Sequence, residues 1–328
     1  MPDNNAHIDI VQGGKGSGDV AMKLLESNFN IQALRTHDVL RKDEWKLLDD
    51  KVVEVARQRL VGVADLMSAG LKHTIPNALG VTRVEWETVG DMTGAEVSMS
   101  GVTPGQNDRP NYELEGIPLP IIHKDFNINI RALHASRNGG SPLDTTMAAH
   151  AAKVVAEKLE AILFDGYAAI KMNNSTIYGY TTCVRNTGTA YDWSLVGTDG
   201  TEILSDVLEI IADLYASNMF GPFMFYIPLS WYVKLGEDFK AESDKSILQR
   251  LKEIPGVKDI KPSQNITSGV IAVTMASDVV DMLDGMQPTT IMWPSHGGMV
   301  TNFKVMAIMA PRFKSTQTGQ SGIAHYTV

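Results

Sequence analysis

A chain of 328 residues, 44% hydrophobic and 20% charged, can bury one large core or two modest ones and is too apolar to be disordered. Its formal net charge of -9 argues against a tight grip on nucleic acid, because that affinity comes mainly from Lys and Arg contacts to phosphate. No apolar run approaches the roughly 18 residues of a membrane span, and a single cysteine, Cys183, excludes an internal disulfide framework and any thiolate-rich metal cluster.

Residues 1–36 read as an arm. Gly13, Gly14, Gly16 and Gly18 make a flexible stretch, and residues 19–28 form a short amphipathic segment. The polar residues Asp3, Asn4, Asn5, His7 and Asp9 leave no apolar core for a signal peptide, so folding in a reducing cytosol is expected. From Asp38 the pattern turns helical: Trp45, Leu48, Val52, Val55 and Ala56 recur at three- and four-residue steps. One helix ending before Gly70 is predicted.

A long β-rich excursion follows. Arg83, Val84, Glu85, Trp86 and Glu87 alternate strictly between charged and apolar, as a strand wet on one face does. Residues 96–100 and 111–115 repeat the alternation, and Gly101, Pro104, Gly105 and Pro110 between them mark a loop tip. The pattern predicts a two-stranded tongue over residues 81–117, with a first strand at 81–89 that spans roughly 30 Å. Such a ribbon is marginal in water by itself and requires a neighbour to pack on.

After the tongue, residues 125–131 alternate as a strand, and then comes the clearest helix, predicted over 142–165. Ser141 suits its N-cap, Pro142 its first position, Asp144 its positive end and Gly166 its termination. Leu143, Met147, Ala151, Val155, Leu159 and Ile162 form one stripe, and Lys153, Glu157 and Glu160 occupy another face. At about 24 residues it should run roughly 36 Å, the length of a spine.

Residues 201–284 change to α/β texture, with helices at 202–216, 228–239 and 245–253 and strands at 223–227, 257–260 and 270–273. Strands return at 290–293 and 303–309. This predicts a compact second domain inserted into the first.

Chemistry is sparse. Gly16, Gly18 and Ala21 fit a dinucleotide turn, but the stretch after them is polar and then helical, where a Rossmann unit requires a second parallel strand ending in an acidic residue. A flexible hinge is the better reading. The eight histidines show no metal-ligand spacing, and there is no Gly-x-Ser-x-Gly elbow. Ser295 and His296 are neighbours, but adjacency alone does not make a nucleophile and its base. No catalytic, cofactor or metal residues are expected.

In order, the chain reads arm, helix, β-tongue, strand, spine helix, inserted α/β domain, terminal strands. This order resembles the Hong Kong 97 fold of tailed-phage major capsid proteins and of encapsulins, the bacterial nanocompartment shells. Three stretches carry the likeness. One runs from Ser141, Pro142, Leu143 and Asp144 through Ala151, Ala156 and Glu160 to Ile162, Leu163, Phe164, Asp165 and Gly166, then Tyr178 and Gly179. Another runs from Gly221, Pro222 and Phe223 to Ile227 and Pro228, and the third from Ile117, Pro118, Leu119 and Pro120 to Phe126. The arm departs from encapsulins, whose first helix starts near the N-terminus, and so favours the phage branch.

The resemblance implies an α+β fold made of an N-terminal arm (1–36), a peripheral domain in two parts (37–80 and 118–200), an extended β-tongue or E-loop (81–117), an axial domain (201–284) and terminal strands (285–328). It implies a non-enzymatic subunit that assembles with itself into pentamers and hexamers of an icosahedral shell, in the virion, formed in the bacterial host cytoplasm. The shell would enclose double-stranded DNA without sequence-specific contact, beside portal, scaffold and possible decoration proteins and away from membranes; the alternative is an encapsulin shell round a cargo enzyme. Expected contacts between subunits are Arg83, Glu85, Glu87, Glu113 and Glu115 through ion pairs, with Val84, Trp86, Tyr112 and Leu114 burying apolar area. Some members of the fold join subunits by an isopeptide bond from a tongue lysine to a neighbour's asparagine; here there is no lysine between Lys72 and Lys124.

Overall fold

The structure, a computed structural model, describes residues 42–90, 92, 94, 95, 97, 99, 109–138, 145–173, 175–195, 197–240 and 244–328. The expected arm, the glycine hinge and most of the 96–100 alternation lie outside these residues; Val97 and Met99 are described and are not in a strand.

Helix α1 (Lys42–Arg59) and the short α2 (Gly62–Ser68) replace the single helix expected before Gly70. The interruption has a cause outside the segment. The Glu160 carboxylate accepts the amide N–H of Gly62 at 2.6 Å and of Val63 at 3.3 Å, satisfying donors that open a new helix. Beyond lie β1 (Lys72–Thr74), β2 (Arg83–Val89), β3 (Tyr112–Pro118) and β4 (Ile122–Asn129). β4 stops two residues earlier than its alternation predicts, because Asn129 Oδ1 accepts the amide of Arg131 at 2.9 Å and starts α3 (Ile130–Asn138).

The spine helix, α4, is Thr146–Asp165, a run of 20 residues or about 30 Å. The expected cap Ser141 lies outside the described residues, and Thr145, which flanks the helix, is non-helical. Ala148, Ala151, Ala152, Val155, Ala156, Leu159, Ile162 and Leu163 are buried; Met147, assigned to that stripe, is 50% exposed. Glu160, assigned to the polar face, is instead buried at 4% exposure, because the helix packs on α2 there as well as on the sheet. At the far end Gly166 takes φ +76, and its amide donates to Ile162 O. A Cβ on Gly179 would lie 2.3 Å from Gly166 N, so the two backbones meet only because both residues are glycine.

The chain continues through β5 (Tyr167–Met172), β6 (Ser175–Ile177) and β7 (Asn186–Thr189) to α5 (Gly200–Ala216), capped by Asp199 and Glu202. Next are β8 (Phe223–Pro228), α6 (Leu229–Lys234), α7 (Ile247–Lys252), β9 (Val257–Ser263), β10 (Val270–Thr274), β11 (Val280–Ser295), β12 (Val300–Phe313) and β13 (Ile323–Thr327). α6 spans half the length predicted for it.

A four-stranded sheet, β1-β11-β12-β4, carries the spine helix and α1 over one core. A five-stranded sheet, β7-β13-β10-β8-β9, carries the α/β unit, and two of its strands, β7 and β13, come from outside residues 201–284. β8 is buried at every position because it serves both cores: Phe223, Phe225 and Ile227 face the α/β core, and Met224 and Tyr226 face the main one. β2 and β3 form their own two-stranded sheet.

Candidate assembly surface

The β2–β3 ribbon is antiparallel and in register from Arg83↔Pro118 to Val89↔Tyr112. Residues directly opposite each other share a face. Val84 with Ile117, Trp86 with Glu115 and Thr88 with Glu113 therefore lie on one side, and Glu85 with Gly116, Glu87 with Leu114 and Val89 with Tyr112 on the other. The four apolar residues expected to act together are split by this register. Val84 and Trp86 are half-buried against the main core of their own chain. Val89, Tyr112 and Leu114 stand on the opposite face at 53, 60 and 63% exposure, beside the exposed Glu85 and Glu87.

The inner face is anchored by charge as well as packing. Arg312 lies over the Trp86 ring, 5.4 Å from its centroid. Its guanidinium donates to the buried Asp281 at 2.8 and 2.5 Å, and Lys314 approaches the same carboxylate at 3.0 Å. Burial pushes the Asp281 carboxyl up, but the hydrogen bonds and charge of Arg312 and Lys314 outweigh it and hold the group below the usual range. On the outer face, at the start of the ladder, Arg83 pairs with Glu85 at 2.9 Å, donates to Ser175 Oγ at 3.4 Å and lies across Gly116, where a Cβ would sit 2.5 Å from Arg83 Nε. Glu113 is exposed and Glu115 half-buried.

A cavity of about 470 Å³ opens beside this base, lined by Trp86, Leu114, Ile117, Cys183 and Phe313 among others. Burial pushes the Cys183 thiol up to about 12, so the thiol stays protonated and unreactive at neutral pH. Elsewhere, Ser295 Oγ lies 3.1 Å from His296 Nδ1 and accepts from Asn302 Nδ2 at 2.8 Å. Both Ser295 and His296 lie at the turn between β11 and β12, away from this cavity. Among the described residues no group of three His, Cys, Asp or Glu side chains is placed to hold a metal ion, and no helix is long and apolar enough to cross a membrane.

The alternation of residues 83–87 marks the ribbon but not its supports. Asp281 and Arg312 are 31 residues apart and meet only because β11 and β12 pair with Asp281 opposite Arg312. Nothing local marks either as a seat for Trp86.

A family model described as a family of unknown function (DUF6260) matches residues 33–326. The type 1 encapsulin shell protein EncA of Myxococcus xanthus is 27% identical over 239 residues, covering 70% of each chain. Among solved structures, the virus-like particle from Pyrococcus furiosus superposes with a TM-score of 0.61 at 18% identity, over 87% of this chain and 98% of that one. The capsid of Myoviridae phage XM1 gives 0.59 at 12% identity, over 75% and 86%. The architecture is the Hong Kong 97 capsid fold, encapsulin-like in sequence.

Proposed function

The chain belongs to the DUF6260 family of unknown function, and on its fold we propose that it is the major capsid protein of a tailed phage. It is a structural subunit, not an enzyme. Copies join as pentamers and hexamers and close an icosahedral shell round double-stranded DNA, in the virion and by way of the host cytoplasm. Scaffold, portal and decoration proteins are its other partners.

The observation that carries this reading is the ribbon. Its inner face is fixed to its own chain, while Val89, Tyr112 and Leu114 stand uncovered on the outer face between carboxylates. A two-stranded sheet with an open apolar face is stabilised by a further surface. A second subunit supplies that surface in a closed symmetric assembly, where each copy gives its tongue to one neighbour and receives another. The net charge of -9 suits a wall that does not trap the polymer it encloses.

An encapsulin shell round a cargo protein is the second reading, favoured by the 27% identity to a shell protein of that kind. The contents of purified particles separate the two: genome-length DNA for a capsid, protein with little nucleic acid for an encapsulin. Size-exclusion chromatography and negative-stain microscopy test what the readings share. A stable monomer near 36 kDa at high concentration would sink both.

A further inference from the structure

The loop between β12 and β13 folds back on itself. Ser315 bridges Ser321, the Thr316 amide donates to Gln320 O at 3.0 Å, and the Gly319 amide donates to Thr316 O at 2.9 Å. From this loop Gln317 reaches the ribbon across 229 residues of sequence. Its Nε2 donates to Thr88 O on β2 and to Asn111 O beside β3, both at 3.2 Å. Of the two ends of the side-chain amide only the NH₂ can donate to carbonyls, and that fixes the orientation of the amide. Here the ladder ends: the Gly90 amide donates to the same Asn111 O at 2.7 Å. Gly90 lets the Gln317 amide come close: a Cβ there would lie 2.5 Å from Gln317 Oε1 and would displace it.

We infer that the 315–321 loop is a clasp that fixes the angle at which the tongue leaves the body, with Gln317 as the positioning residue. The ribbon is already held over the first half of its ladder, at its base where Arg83 donates to Ser175 Oγ and at its midpoint where Trp86 lies under Arg312. A ribbon held at one end pivots about it. Gln317 grips both strands at the other end of the ladder and removes that freedom. Through the shell reading, on which this consequence rests, the tongue angle sets the angle between neighbouring subunits. The clasp then sets shell curvature and particle diameter.

Gln317→Glu is the sharp test, because it keeps the shape and turns the shared donor into an oxygen facing two carbonyls. Gln317→Lys retains a donor. In unassembled Gln317→Glu subunits the Gly90 amide should exchange with deuterium about tenfold faster than in wild type, the equivalent of one lost hydrogen bond. The melting temperature should stay the same, and Gln317→Lys should exchange near the wild-type rate. Assembled Gln317→Glu particles should show a broadened range of diameters. Unchanged exchange at Gly90 overturns the clasp whatever the particles do. Faster exchange with particles of wild-type diameter overturns the link to curvature. If wild-type protein forms no particles, the shell reading fails, and the exchange result still decides the clasp.

Discussion

The Glu160 carboxylate accepts the Gly62 amide at 2.6 Å, tying the C-terminal third of the spine helix to the first residue of α2 across 98 positions of sequence. Burial raises this carboxyl from its ordinary 4.5 to about 7, and the amides of Gly62 and Val63 only partly oppose that rise. Folding therefore takes up a proton between those two values. The resulting stability is present in full below about pH 4.5 and is lost as pH rises through about 7, a change of roughly 3 kcal/mol. The melting temperature should fall as pH rises from 5 to about 7 and then level off. Glu160→Gln should flatten that slope; an unaltered slope in the variant would assign it to another group.

Asp281 contributes with the opposite sign. Arg312 and Lys314 hold it below its ordinary 3.8 despite burial, so its stabilisation is present above that pH and is lost as acid protonates it. Asp281→Asn should leave Arg312 and Lys314 without their counter-charge in a site where Arg312 is 11% exposed, and should cost roughly 3–5 kcal/mol. Chemical denaturation of unassembled subunits measures this. A loss under about 1 kcal/mol would show that the cluster relaxes into solvent.

The split register separates folding from assembly. Trp86→Ala removes a half-buried ring from the main core and uncovers Arg312, so it should lower subunit stability by about 2–3 kcal/mol. Tyr112→Ser with Leu114→Ser replaces side chains that are 60 and 63% exposed and should leave the melting temperature within a degree or two. Assembly of that double variant, followed by light scattering, should require a severalfold higher protein concentration. Normal assembly would mean that the outer face meets no neighbour.

The strict alternation of residues 83–87 located β2, and the apolar stripe through Ala151, Val155, Leu159 and Ile162 located the spine. Local pattern could reach no further where distant residues decide. Glu160 has the composition of a wet position and is buried because α2 packs over it; the same contact divides the first helix. The faces of the ribbon depend on register, and a shift of one residue would have placed Tyr112 and Leu114 beside Trp86. β8 was legible as a buried strand, since Phe223 to Ile227 is continuously apolar, but its service to two cores was not. β7 and β13 are short and lie outside residues 201–284, so their place in the five-stranded sheet was not legible.

How a shell of the proposed kind would be fastened follows from which nucleophiles the tongue carries. An isopeptide lock begins with a deprotonated amine attacking a neighbour's side-chain amide, and a lysine on the tongue must supply it. Between Lys72 and Lys124 the chain has none. The cations of the ribbon region are Arg83, which is committed to Glu85 and Ser175, and Arg109. A guanidinium keeps its proton at any ordinary pH and cannot attack an amide. Lys72 lies in β1, paired with β11 in the four-stranded sheet, and Lys124 lies in β4, paired with Val305. Both belong to the body and not to the ribbon. The outer face of the ribbon offers apolar area and the carboxylates of Glu85 and Glu87, which suit a non-covalent contact. Mature particles boiled in detergent should therefore run as a single band near 36 kDa. A ladder of covalent multimers would overturn this, and replacing Lys72 and Lys124 in turn with Arg would identify which of them had reacted.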